Sequence, residues 1–219
     1  MEQEIQKLKD AVLSLWILAQ SKLEQSRKIM QIRKGVYTPS EIKTGIRHEY
    51  DLSVTKQSEY LLALPGKSVS HLHLIMFILK INTYVSQIAS LAEEAEELVY
   101  EYKNPFTKEL MKHSHLAAIY DDLIKLVADS RIAFDREDSL LARSVFKRVI
   151  ALESQNADLN KIISDLVKSD KSIISEVLCI VSIIRKLQSI GDHQKNITTE
   201  IVQFLDSERM QIYHGVVAC

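Results

Sequence analysis

The feature that most constrains this chain is how little interrupts its helical periodicity. Its 219 residues include only five glycines and three prolines, too few to build the many turns of a β protein. Ile5, Leu8, Val12, Leu15, Ala19 and Leu23 recur at three- and four-residue spacing and mark one apolar helix face. That first helix should run to about Arg33, where "KGVYTPS" (Gly35, Pro39) breaks it and Thr38 or Ser40 can cap the next. Further breaks fall at "LPGKS" (Pro65, Gly66) and at "KNPFT", where Pro105 disfavours helical geometry at Asn104. They recur at "DREDS", with Asp135 or Asp138 as cap, and at the polar turn "KSDKS" (Lys168 to Ser172). The spacing therefore predicts six helices, the later ones spanning Ser68 to Tyr102, Thr107 to Ala133, Ser139 to Val167, and onward from Ser172 to Ser207. The tail "MQIYHGVVAC" has no assignment. Long helices joined by short turns must pack antiparallel. The predicted architecture is all-α, two tandem three-helix bundles, residues 1–104 and 105–219.

A chain with 46% hydrophobic residues can bury a substantial core, and a net charge of −1 favours neither nucleic acid nor an acidic membrane surface. The charged start "MEQEIQKLKD" argues against a signal peptide. No window approaches the roughly eighteen uninterrupted apolar residues of a membrane span, so the expectation is a cytoplasmic protein. Cys179, inside "EVLCIVSII", reads as a small buried hydrophobe, and with Cys219 it makes no disulfide framework or metal spacing. His71 and His73, like His113 and His115, stand two apart, which on a helix points them roughly 200° from one another. No glycine-rich phosphate loop, HExxH or GxSxG occurs. The chain does not read as an enzyme.

The two halves repeat one another. "LKINTYVSQIASLAEEAEE" superposes on "IRKLQSIGDHQKNITTE" with Ser90 set against Asp192, so that Val85 meets Leu187, Ile88 meets Ile190 and Ala89 meets Gly191. A glycine inside a helix costs about 1 kcal/mol relative to alanine. Minimal residues at both equivalent positions predict close approach of a neighbouring helix.

The stretch "LQSIGDHQKNITTE" resembles the signature helix of the PhoU family of phosphate-uptake regulators. Leu187, Ile190, Gly191, Asp192, His193, Asn196 and Ile197 match its pattern, and Glu200 falls one place beyond the closing glutamate. "SHLHLIMFILKI" is similar to the opening of the equivalent helix in the first repeat. The resemblance implies a cytoplasmic regulator of phosphate uptake that docks on a phosphate transporter and a sensor kinase. It also implies a homodimer that touches the membrane only through its partners and binds no nucleic acid. Two alternatives carry the same fold: a soluble regulatory domain of a sodium–phosphate cotransporter-type membrane protein, and a helical scaffold that has lost the regulatory role.

The family also carries carboxylate pairs at i, i+4 spacing on the second and third helix of each repeat, a geometry that puts two oxygen ligands on one face. The corresponding pairs here are Glu49 and Ser53, Ser86 and Ser90, Asn156 and Asn160, and Gln188 and Asp192; only Glu49 and Asp192 are carboxylates. No cofactor is expected on this count, with a vestigial site for a single divalent cation or iron at Asp192 and Glu49 as the alternative. Gln188, Asp192 and Asn196 form an i, i+4, i+8 line that reads as a hydrogen-bonded polar flank. The acidic run "EEAEELVYEY" reads as a solvated face, with Glu94 or Glu97 as replacement ligands.

Overall fold

The structure is a computed structural model and describes residues 1–32, 44–102, 104, 106–155 and 173–217. Among these residues seven helices follow in order: α1 (Glu2–Ile32), α2 (Thr44–Ala63), α3 (Val69–Glu101), α4 (Lys108–His113), α5 (Leu116–Asp135), α6 (Ser139–Gln155) and α7 (Ile174–Val217). There is no strand among the described residues. α1, α2 and α3 pack on one another, as do α5, α6 and α7. The two groups meet through α3 against α7 and α1 against α5, so four helices form the centre and α2 and α6 lie outside it.

Local chemistry explains most of the helix ends. Gly66 takes the left-handed backbone (φ 77°) that turns the chain after α2. Ser68 then caps α3, its hydroxyl accepting from the His71 N–H while His71 Nδ1 accepts from the Ser68 N–H. The turn after α5 satisfies its last carbonyls through Glu137 and Asp138, whose N–H groups donate to Phe134 and Ala133. Asp138 Oδ1 next accepts from Leu140 and Leu141, and so caps α6.

Two helix boundaries differ from expectation. The predicted helix from Thr107 to Ala133 is broken into α4 and α5, because His115 adopts a left-handed conformation (φ 51°) just after the buried Ser114. Neither glycine nor proline marks that break. The final helix continues ten residues past Ser207 to Val217, taking in most of the unassigned tail. Thr38, Ser40, the end of the fifth predicted helix and Cys219 lie outside the described residues.

By length and composition α3 could cross a membrane, its most apolar window reaching a mean hydropathy of 1.4, which the search for uninterrupted apolar runs missed. In this fold it is the core helix, packed by α1, α2 and α7. Four aromatic rings join the two halves around it, one from each central helix. Phe77 stacks on Phe204 with centroids 4.2 Å apart, and Phe134 lies 5.7 Å from Phe77 and 5.5 Å from Trp16. Lys9 closes this cluster, its ammonium 5.6 Å from the Phe134 centroid and 2.8 Å from Glu137. Cys179 is half-buried, not fully buried as its apolar run suggested, and its thiol donates to the Leu98 carbonyl.

α3 and α7 run antiparallel, joined at Lys80–Glu200, Tyr84–His193 and Glu94–Lys186. Ala89 is midway between the last two contacts along α3, and Gly191 lies between them along α7. Both are buried. The expected close approach is absent, however: a Cβ built on Gly191 meets nothing within 4 Å. Burial at this crossing comes from the surrounding larger side chains. Gly191→Ala should therefore fill space without displacing a neighbour and recover helix propensity, raising stability by up to about 1 kcal/mol. Thermal melting checks this, and a lower melting temperature would show that the space beside Gly191 is already taken.

Candidate functional site

The signature helix divides its motif among four directions. Leu187, Ile190, Gly191, Gln194 and Ile197 are buried, Gln194 accepting a hydrogen bond from Ser130 of α5 at 2.6 Å. His193 and Glu200 face α3, His193 beside Tyr84 and Glu200 paired with Lys80 at 3.0 Å. Lys195 reaches Glu153 of α6 at 3.3 Å. Gln188, Asp192 and Asn196 are exposed, a polar line turned away from the core.

Glu49 and Ser53 are also exposed. α2 packs on α1 and α3, whereas α7 packs on α3, α5 and α6, so Glu49 and Asp192 belong to different three-helix groups. Among the described residues no three His, Cys, Asp or Glu side chains come together as a metal-holding group. Asn156 and Asn160 lie outside the described residues.

The polar residues that the fold does gather are others. Along α3, Asn82, Ser86, Glu93 and Glu96 are buried, continuing the inward face of Val85, Ala89 and Ala92. Glu93 and Glu96 come from the acidic run that the sequence marked as solvated, and only 7% of each is exposed. Glu94 instead turns to α7 and pairs with Lys186 at 2.5 Å, and Glu97 is exposed. The inward residues of α2 are Arg47, Asp51, Val54, Ser58 and Leu61, two positions out of register from Glu49 and Ser53. Arg47 donates through Nε to Glu93 at 3.3 Å and through Nη1 to Ser86 at 3.5 Å. Asn82 Nδ2 donates to Asp51 at 2.5 Å. From α1, Lys22 Nζ comes within 3.3 Å of Glu93 Oε1 although the lysine is only 3% exposed.

One turn further, Ser26 and Tyr120 share a buried hydrogen bond of 2.7 Å, and Arg27 donates to Asp121 at 2.7 Å. Burial pushes the Tyr120 hydroxyl well above the ordinary tyrosine range; the Ser26 hydrogen bond opposes this and the nearby Glu96 charge adds to it. The phenol is therefore a neutral hydrogen-bonding group that ties α5 to α1. The seam could have been read from spacing alone, since Glu93 falls four residues after Ala89 and seven after Ser86.

His193 is perturbed in the other direction. Burial lowers its pKa, and the adjacent Asp192 carboxylate partly opposes the shift. A folded-state value below the unfolded one means that its contribution is complete above the ordinary histidine value and is lost as pH falls through the folded value. Asp192→Asn removes the opposing negative charge, so the His193 pKa should fall further in that variant. An NMR titration of the imidazole in both proteins checks this. An unchanged or higher value in Asp192→Asn would mean that the two side chains do not interact.

No family model matches the chain. It is 20% identical over 212 residues, 96% of its own length and 90% of the relative's, to the phosphate-specific transport system accessory protein PhoU homolog 1 of Thermotoga maritima. It is 28% identical over 164 residues to the PhoU homolog of Pseudomonas putida, an alignment covering 72% of the chain and 61% of that relative. In fold it is similar to the crystal structure of PhoU from Pseudomonas aeruginosa, with a TM-score of 0.77, 19% identity, and 94% and 99% of the two chains covered. The PhoU structure from Streptococcus pneumoniae matches with a TM-score of 0.67 and 20% identity over 93% and 92% of the chains. The signature helix and the curated relatives point the same way, and the helical architecture is shared with solved PhoU structures: in sequence and in fold the chain is similar to PhoU proteins.

Proposed function

We propose that this protein is an accessory regulator of phosphate transport that acts by binding other proteins and carries out no catalysis. Its relatives from Thermotoga maritima and Pseudomonas putida are named as accessory proteins of phosphate-specific transport systems. The partners would be components of a phosphate transporter and a sensor kinase, met at the cytoplasmic face of the membrane by a homodimer that reaches the bilayer only through them. The observation that carries this reading is the exposed line Gln188, Asp192 and Asn196 on the signature helix. Packing accounts for the buried motif residues around it, whereas these three polar side chains face solvent and are available for contact.

The test is phosphate uptake in cells lacking the gene. Uptake should lose its response to phosphate supply, and wild-type protein should restore it. A Gln188→Ala, Asp192→Lys, Asn196→Ala variant should melt close to wild type, because all three side chains are exposed, yet fail to restore the response and fail to capture transporter components from membranes. Normal regulation in the deletion strain, or full restoration by the triple variant, would overturn the reading.

A further inference from the structure

The buried centre of the α1–α2–α3 group is Glu93. Its Oε1 faces the Lys22 ammonium and its Oε2 the Arg47 guanidinium, each at 3.3 Å, so one carboxylate ties a cation from α1 to a cation from α2. Lys22 and Glu93 could not be buried alone, since an ion taken out of water needs a counter-ion, while Arg47 stays partly exposed. On the Asn82 side of Glu93 the α3 groups are neutral: the Ser86 hydroxyl already receives Arg47, and the Asn82 amide donates to Asp51. Further along lie Glu96 and the neutral phenol of Tyr120.

Ser86, one of the positions where the family resemblance implies a metal ligand, sits among these groups, and they are a poor donor set for such an ion. A divalent ion needs several oxygen ligands with enough negative charge to offset its own. Here the central carboxylate is flanked on both sides by fixed positive charges, which would repel an incoming cation. We propose that Lys22 and Arg47 are the resident cations of this helical group. They do, through covalently attached side chains, what a bound metal would do: join three helices through a shared carboxylate. The packing of α2 on α1 and α3 then depends on no metal supply. This inference concerns how the bundle is held together and is independent of which partners it binds.

The test is thermal melting of the full chain, paired with metal analysis after dialysis against manganese or zinc. The wild-type melting temperature should be the same with a chelator as with added magnesium, manganese, zinc or ferrous iron, and no stoichiometric metal should be retained. Lys22→Met should lower the melting temperature by leaving Glu93 Oε1 buried without its cation, and adding Glu93→Gln in the same chain should recover most of the loss. If Lys22→Met does not fold, restored folding in the double variant gives the same answer. A wild type that melts several degrees higher with metal and retains it would overturn the proposal. So would Lys22→Met melting like wild type, or a double variant no better than the single one.

Discussion

The antiparallel seam of α3 and α7 is the contact on which the remaining packing depends. Phe77 on Phe204 anchors one end and the Cys179 thiol on the Leu98 carbonyl the other, with Lys80–Glu200, Tyr84–His193 and Glu94–Lys186 between them. The apolar side chains buried there are worth roughly 1.5–3 kcal/mol each against exposure, before ordering entropy is charged. The exposed ion pairs add little by comparison. Their value is in register, because each cation meets its carboxylate in only one alignment of the two helices. Once α3 and α7 are paired, α1 and α5 close the centre over Trp16 and Phe134, and α2 and α6 are left to cover the outer flanks.

That hierarchy explains what was legible in the amino-acid sequence. α1 and α3 pack on several neighbours, so their apolar spacing is long and regular, and both are bounded close to where their periodicity and the Pro65–Gly66 turn place them. α2 covers only one side of the centre; Ile46, Tyr50 and Val54 share a face by their four-residue spacing, and Leu52 lies off it. Apolar spacing did not place its polar residues, and the inward pair is Arg47 and Asp51 where Glu49 and Ser53 were expected. The break at His115 was hidden for a different reason. Its left-handed backbone is one that glycine or asparagine usually signals, and here a histidine carries it.

Glu93 shows the limit of composition as a guide. Four glutamates in five residues look like a solvated face, but two of the four, Glu93 and Glu96, sit on the same stripe as Ala89, Ala92 and Val99 and are buried. Their helical spacing from Ala89 sets them on the inward stripe, which composition alone does not reveal, and Lys22 on α1 supplies the counter-charge for Glu93. Gly191 is the converse case. The sequence marked it as the position of tightest packing, yet the structure leaves space beside it, and nothing in the packing of this chain requires a glycine there.

The two repeats use their polar residues differently, and the difference bears on function. In the first, charged and amide groups turn inward, where Lys22, Arg47 and Asp51 are each partnered within the α1–α2–α3 group. A side chain committed to such an interaction cannot also bind a partner without breaking it, and exposing a buried ion pair leaves both members to be resolvated. In the second, the equivalent helix turns Gln188, Asp192 and Asn196 outward. Contacts made there cost the fold nothing, because no internal bond has to be given up first. A surface that can engage and release a partner repeatedly is better built from groups of the second kind. The chain's architecture therefore uses polar groups in two ways, with internal ion pairs tying α1, α2 and α3 together and the polar line of α7 left exposed to solvent.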